Sequence, residues 1–531
     1  MAARDYQTTA KRRAFAAIKG DARAPVITLP TGTGKGTLEA ETAVQLAQAG
    51  KRVVVTVPRE EIARDQAKRI RAAGGDPGIV APWAPFEPWK TIQVAMAPTL
   101  AKRWDKLPVP DVVLIDECHH SPADGYMAFL NGWPDAYRIG FTATLWRLDG
   151  KGFQGIFDAH IDGPPPAWFV EQGYLTDVDV WAPFVPDMRG VSSRGGDFDQ
   201  EAMEAALERS RVFGNAVLSF QRYVRPGGTA VAFCCSKKHA EMAAAAFNAA
   251  GIPAEVLLGE DQGEVRSGKL ARLARGETRV LCCVDVISEG FDLPSIDACL
   301  LMRPTQSLSL YLQQVGRVLR TVYADGFDLD TMPGRLAAIA AGPKPRATVV
   351  DCAGNWHRHG HPLKARTWCL EGEEPTRKKH THTEDGEDIS SRRCDACLQV
   401  YQTPATVCPY CGTEHGPDPR IPAAVAAEMR LVQRQEEEAA HAQAQKAIKR
   451  ERFYEGKVRA LRSAGAKNAK FAAFHQLQGR AMKAVKDGRL EEAIAIGVDL
   501  AESGFKEHAK LEELREALRV AMAPPEEQEA A

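Results

Sequence analysis

Two tandem parallel α/β domains, a small cysteine-stapled module and an α-helical C-terminal domain are what this 531-residue sequence predicts. Three observations carry that fold class. Short apolar runs alternate with helical stretches, the alternation stops and restarts near residue 187, and the composition changes after residue 353. A chain of this length also exceeds what one hydrophobic core can organise.

The first domain is expected over residues 1–186. Its strand-type runs are Pro25–Leu29, Val53–Val57, Ile92–Met96, Val112–Ile115 and Arg138–Phe141, with helices such as Glu60–Ala73 between them. A polar, glycine-containing stretch from Asp187 to Asp197 interrupts the pattern. The second domain, 187–353, then opens on one long helix, Phe198–Val224. Strands follow at Thr229–Cys234, Ala254–Leu258, Arg279–Val284, Ala298–Met302 and Ala347–Val350. Residues 354–420 turn to His, Cys, Arg and Gly and form a basic linker with the cysteine module. Residues 421–531 are rich in Ala, Glu, Lys, Arg and Gln and form the helical domain, with an acidic end from Pro524 expected to be disordered.

Between the first strand and the helical run Leu38–Ala49, residues Pro30 to Thr37 read P-T-G-T-G-K-G-T. A strand, a glycine loop and a helix start hold a nucleoside triphosphate. Gly32 and Gly34 let the backbone turn its N–H groups onto phosphate oxygens, with Thr31 and Thr33 between them. The helix N-terminus adds its positive end and Lys35 a mobile point charge, so ATP is the expected ligand. Two departures stand out. Leu29 occupies the place of the usual glycine six residues before the lysine, and Gly36 replaces the Ser or Thr that ligates Mg²⁺. Either Thr37 turns in or water fills the place, and a raised Mg²⁺ requirement is expected.

Val112–Ile115 delivers Asp116 and Glu117 at its C-terminal end, where α/β sheets hold ligands. Alone the pair reads as an acidic surface turn. Following a phosphate loop, it reads as Asp116 for Mg²⁺ and Glu117 for the attacking water. In the second domain, Ser288–Pro294 follows a strand, and Gln313 to Arg320 reads Q-Q-V-G-R-V-L-R. Arg317 and Arg320, three apart on a helix, would share a face and stabilise charge on a γ-phosphate.

Tyr6-Gln7, P-T-G-T-G-K, V-P-R-E (57–60), D-E-C-H (116–119), T-A-T (142–144), S-E-G-F-D-L-P and Q-Q-V-G-R-V-L-R occur in the order found in helicase superfamily 2. Over residues 1–353 the chain resembles the DExH-type DNA helicases and translocases of that group. The resemblance implies two RecA-like domains. It implies that Gln7, beside Tyr6, contacts adenine, Lys35 the phosphates, and Asp116 and Glu117 the metal and water. His119, Thr142 and Thr144 would couple nucleotide state to nucleic acid. Gly290, Asp292, Gln313, Arg317 and Arg320 would complete the cleft from the second domain, while Pro58, Arg59 and Thr99 would track the nucleic-acid backbone. Leu145 departs from the family's usual Pro. The implied activity is nucleic-acid-stimulated ATP hydrolysis that drives movement on DNA (single-stranded, forked or branched) and its unwinding. An RNA helicase, or an ATP-binding clamp with poor turnover, is the alternative.

Cys394-x₂-Cys397-x₁₀-Cys408-x₂-Cys411 gives four thiolates for tetrahedral Zn²⁺ as a zinc ribbon, in basic surroundings (Arg377, Lys378, Lys379, Arg392, Arg393). His357, His359, His361, His380 and His382 lack a second-site spacing and read as polar loop residues. Trp83, Phe86 and Trp89 read as loop packing before they read as a base-stacking platform. Between Lys446 and Arg489 stand thirteen Lys or Arg against three Asp or Glu, suited to gripping DNA or docking a replication or recombination partner. The net charge of −1 leaves nucleic-acid binding open, because a local basic groove can hide in a neutral total. No apolar run nears the roughly 20 residues of a membrane span. Cys234-Cys235 and Cys282-Cys283 read as buried thiols in strands, and a cytoplasmic protein is expected.

Overall fold

The computed structural model describes residues 4–121, 124–145, 152–153, 155–184, 186, 188, 191–194, 197–209, 212–261, 263–284, 293–366, 368–371, 390–403, 405–416 and 418. Beyond these it describes 461, 469–487 and scattered positions from 493 to 517. The chain forms two compact units, residues 1–421 and 422–531.

Seven parallel strands build the first sheet: β1 (Pro25–Thr28), β2 (Val53–Val57), β3 (Pro77–Val80), β4 (Ile92–Met96), β5 (Val112–Ile115), β6 (Tyr137–Thr142) and β7 (Ala159–Asp162). Their spatial order is β3-β4-β2-β5-β6-β1-β7. Helices cover both faces, so β1, β2 and β5 are buried at every position and read as continuous apolar runs without alternation. Ile115 pairs with Gly140, and Thr28 with Thr142, which brings the C-terminal ends of β5, β6 and β1 side by side. Helix α1 (Asp5–Lys19) packs on β1 and β7, α2 (Lys35–Gln48) follows β1, and α3 (Glu60–Ala72) follows β2.

The second sheet takes β8 (Val178–Trp181), skips the two-stranded hairpin β9 (Ser193–Arg194) and β10 (Asp197–Phe198), and continues with β11 (Ala230–Phe233), β12 (Ala254–Leu257), β13 (Val280–Cys283), β14 (Ala298–Leu301) and β15 (Ala347–Asp351). Its order is β12-β13-β11-β14-β15-β8, again all parallel. Two expectations are corrected here. The strand 178–181 belongs to the second sheet, so the boundary drawn at 186 falls too late. Val178 and Val180 are completed by Ala347 and Val349 of β15, a partner some 170 residues away that no local pattern reveals. The long helix over 198–224 is two helices, Gln200–Arg209 and Val212–Tyr223.

Beyond β15 the chain does not become a polar loop. Asn355–His359 is a short helix, and His359 and His361 are buried; the His359 ring stacks on Tyr311 and its Nε2 lies 2.9 Å from the Thr305 carbonyl oxygen. His380 and His382 lie outside the described residues. β16 (Ser391–Arg393) and β17 (Val400–Gln402) form a hairpin that carries the cysteines. This module docks on the edge strand β8, where Ala182 N–H donates to the Leu398 carbonyl at 2.9 Å. Gln399 Nε2 donates to Asp179 at 3.0 Å, so the hairpin continues the sheet's edge.

In the second unit, the helix Ala469–Lys486 buries Ala473, Phe474, Leu477 and Ala481 with Ile496, Leu500 and Leu514 in a small core. The acidic end from Pro524 lies outside the described residues. Among the described residues, no helix is long and apolar enough to cross a membrane.

Candidate nucleotide site and cysteine centre

The phosphate loop joins β1 to α2. Gly32 (φ 88°) and Gly34 (φ 82°) both adopt the left-handed region that the turn requires. From the first turn of α2, Lys35 Nζ reaches back to the Leu29 carbonyl at 3.1 Å. Burial pushes its ammonium below the ordinary value, against the pull of Glu117 and Asp116. The Gln7 amide donates to the Gly34 carbonyl at 3.0 Å, and Tyr6 Oη to the Thr33 carbonyl at 2.6 Å. Gln7, expected on adenine, and its neighbour Tyr6 therefore both brace the loop, with Tyr6 packed among Trp168, Phe169 and Tyr174.

Asp116 and Glu117 follow β5 as the spacing requires. Glu117 sits at φ 43°, an unusual conformation for a non-glycine residue and of a kind that collects at functional sites. Burial works to raise its pKa, but Lys35, His119 and Arg317 outweigh it and bring the carboxyl down to about 2. It is a carboxylate at any physiological pH. His119 Nδ1 lies 3.4 Å from Glu117 Oε2 and 3.2 Å from Thr142 Oγ1. Thr142 in turn donates to the Thr144 carbonyl at 2.8 Å, and Thr144 Oγ1 donates to Ser309 Oγ of the second domain at 2.8 Å. A run of polar contacts thus leads from the Glu117 carboxylate to the opposite domain.

That domain presses directly on the loop. A methyl added at Gly316, the last residue of helix Leu308–Gly316, would lie 2.4 Å from Thr31 Cβ. One added at Gly32 would lie 3.3 Å from Arg320 Cγ. Gln313 and Arg317 are buried beside them. The shared helix face expected for Arg317 and Arg320 is corrected. The helix ends at Gly316, Arg317 caps it, and Arg320 bridges to Leu175. Arg320 still packs on Gly32 of the loop, and both arginines lie close enough to Lys35 to oppose its charge.

Pro58 and Arg59 at the end of β2, and Thr99 after β4, lie along the same C-terminal edge of the sheet. Gly290 and Asp292 lie outside the described residues. Trp83 is stacked by the Arg64 guanidinium at 3.6 Å and Phe86 packs on the first domain's core, whereas Trp89 is 71 % exposed. Thr37 does not turn towards the metal position; its hydroxyl accepts from Arg69 Nη1 at 3.2 Å. Three residues in this region escaped the sequence reading: Gln66 and Arg69 on α3, and Glu39 on α2. Glu39 is fully buried and accepts from Gln66 Nε2 at 2.9 Å. Its one signal in the sequence was a carboxylate on the apolar side of a helix.

The four sulfurs of Cys394, Cys397, Cys408 and Cys411 lie within 4.8 Å of one another, with Cys394–Cys411 at 3.6 Å and Cys397–Cys408 at 3.8 Å. Tetrahedral zinc with Zn–S of about 2.3 Å needs sulfurs about 3.8 Å apart, so the donor set fits that ion. Gly412 (φ 72°) makes the second knuckle's turn. Arg392 donates to the Gly416 carbonyl at 2.6 Å and Arg393 to that of Ala182 at 3.3 Å, so both serve the module's own structure. Arg377, Lys378 and Lys379 lie outside the described residues. Cys234, Cys235, Cys282 and Cys283 are buried free thiols.

Residues 1–147 match the family described as "Type III restriction enzyme, res subunit", and residues 215–322 match "Helicase conserved C-terminal domain". Those two matches support a superfamily 2 helicase. A 51.5 kDa protein of a Lactococcus phage (isolate 7-9) is 26% identical over 73% of this chain and 77% of its own length. The DNA 3'-5' translocase XPB2 of Sulfurisphaera tokodaii is 25% identical over 60% of this chain and 78% of its own. Of two fungal relatives the chain spans about half the length. A fragment assigned to the HsdR subunit of a type I restriction enzyme from Vibrio vulnificus YJ016 superposes with a TM-score of 0.53. It is 19% identical and covers 67% of this chain and 65% of that one, which supports the shared two-domain fold.

Proposed function

We propose that this protein is an ATP-dependent DNA translocase of the DExH type, with a zinc ribbon, that unwinds DNA as it moves. The observation that carries the reading is the convergence of Lys35, Glu117, Arg317 and Arg320 at one seam between two α/β domains. Hydrolysis needs an oriented water and stabilised phosphate charge. Glu117, held as a carboxylate, accepts the water's proton, while Lys35 and the two arginines face the phosphate oxygens. Mg²⁺, when bound, would neutralise phosphate charge, with Asp116 holding its hydration shell.

Because each domain owns part of the site, nucleotide binding draws them together and product release lets them part. The Thr144–Ser309 contact transmits that closure to the threonine chain. With Pro58, Arg59 and Thr99 on the backbone of one strand, each cycle shifts the grip along it. The relative named as a DNA translocase supports DNA as the track. Zn²⁺ on the four cysteines would staple the module to the second domain's edge. The buried free thiols fit a reducing, cytoplasmic setting. The helical C-terminal domain, basic between Lys446 and Arg489, is the candidate site for a replication or recombination partner.

A second reading, an ATP-binding clamp with poor turnover, is favoured by one observation: Gly36 has no hydroxyl and that of Thr37 is held by Arg69. ATPase rates with single-stranded, duplex and forked DNA and with RNA, alongside strand displacement on the fork, separate these. Stimulation by DNA above RNA, with displacement, is expected. Stimulation by RNA alone overturns the choice of DNA, and nucleotide binding without stimulated hydrolysis selects the clamp.

A further inference from the structure

We infer that Gln66, oriented by Glu39, supplies the nucleotide's divalent cation with the protein oxygen that position 36 lacks. The inference rests on the ATPase reading above.

Position 36 opens α2 directly after Lys35. A side chain added there would begin 3.2 Å from Gln66 Oε1 and 3.4 Å from Arg69 Nη1. The amide oxygen of Gln66 therefore lies in tight contact with the place where a serine or threonine side chain would begin. Its orientation is set, because Gln66 Nε2 donates to Glu39 Oε2 at 2.9 Å, which leaves Oε1 as the end turned towards Gly36. Gln66 is 2 % exposed and Glu39 fully buried, so neither is a surface group passing by.

Burying a glutamate is costly without a partner for each oxygen, and Glu39 Oε1 has no hydrogen-bond donor. The hydration shell of a magnesium ion would bring donors to such an oxygen. Hard cations take amide and carboxylate oxygens alike, and Mg²⁺ keeps several waters readily. Glu39 is thus a positioning residue and Gln66 the ligand. Glycine at 36 is what leaves room for it.

The test uses the full chain and a fluorescent ATP analogue, with binding titrated against Mg²⁺ and a chelator control. Gln66→Ala and the near-isosteric Gln66→Met should raise the half-saturating Mg²⁺ about tenfold, with Mg²⁺-free binding unchanged. Gly36→Thr should reverse this in the Gln66→Ala background and gain little alone, where the amide oxygen crowds it. An unchanged midpoint in Gln66→Met, with thermal unfolding like the wild type, overturns the inference. So does a Gly36→Thr gain as large with Gln66 present as without it. A wild-type chain that binds no analogue at any Mg²⁺ concentration refutes the ATPase reading instead.

Discussion

Gly316→Ala should uncouple the two motor domains without unfolding either. Ordinarily, replacing a helical glycine by alanine stabilises the helix by about 1 kcal/mol. Here the added methyl would meet Thr31 Cβ at 2.4 Å and Thr31 Cγ2 at 2.7 Å, against ordinary contacts of 3.4–4 Å. Thr31 belongs to the phosphate loop and cannot withdraw without disturbing Lys35. The relief available is for the domains to part by about 1 Å at this seam, which carries Arg317 and Arg320 away from the phosphates. A misplacement of that size costs on the order of 10²-fold in rate, or about 2.7 kcal/mol of barrier. Steady-state ATPase in the presence of DNA is the assay, with thermal unfolding measured alongside. The control is Gly268→Ala in the helix Gly263–Ala274, where a methyl meets no atom closer than 3.5 Å. Gly268→Ala should keep full turnover. Turnover of Gly316→Ala within twofold of wild type would refute the claim that this contact persists in the working state.

Glu117→Gln should bind nucleotide normally and lose several orders of magnitude in turnover, because the phosphate cradle survives and only the carboxylate is gone; near-normal turnover would remove Glu117 from the mechanism. Glu117 is held down to about 2, so its charge is complete above the ordinary carboxylate range and is lost only as pH falls towards 2. Wild type and Glu117→Gln should then share one pH profile of nucleotide binding between about pH 8 and 5, and an extra acid limb in wild type would contradict the depressed value. Cys394→Ser or Cys408→Ser should release about one Zn²⁺ per chain and expose the hairpin to proteolysis; protein purified without chelator that contains no zinc would end the ribbon reading. Lys344 is buried and its Nζ donates to the carbonyls of Ile296 and Val318, at 3.1 and 3.2 Å, and to that of Pro294. Lys344→Met orphans all three and should destabilise the second domain by about 3 kcal/mol or more, and an unchanged unfolding midpoint would show that the chain closes over the loss.

Much of the strand inventory was legible locally. Val53–Val57 and Val112–Ile115 are buried on both faces, and continuous burial writes itself as a run of β-branched residues and leucine without polar alternation. The phosphate loop and the Asp116-Glu117 pair were legible for a related reason: a tight turn needs glycine, and a metal or a water needs carboxylates, wherever the chain runs. The cysteine spacing was equally plain, since four thiolates at one point leave few other arrangements. What a strand joins is another matter. Val178–Trp181 looks like the end of the first domain, and only pairing with β15 assigns it to the second. His359 looks like a polar loop residue until Tyr311 and the Thr305 carbonyl are seen to engage it, and His361 until its burial against Ser391 and Leu363 is seen. The same holds for Gly36, which the sequence marks as a missing hydroxyl. Gln66 lies thirty residues further on, and α3 brings it across to that position. Composition and spacing determined the elements and the chemistry each could offer. Tertiary packing alone decided which residues meet, because contacts between distant segments depend on how buried surfaces fit, and that fit leaves no periodic trace in the chain.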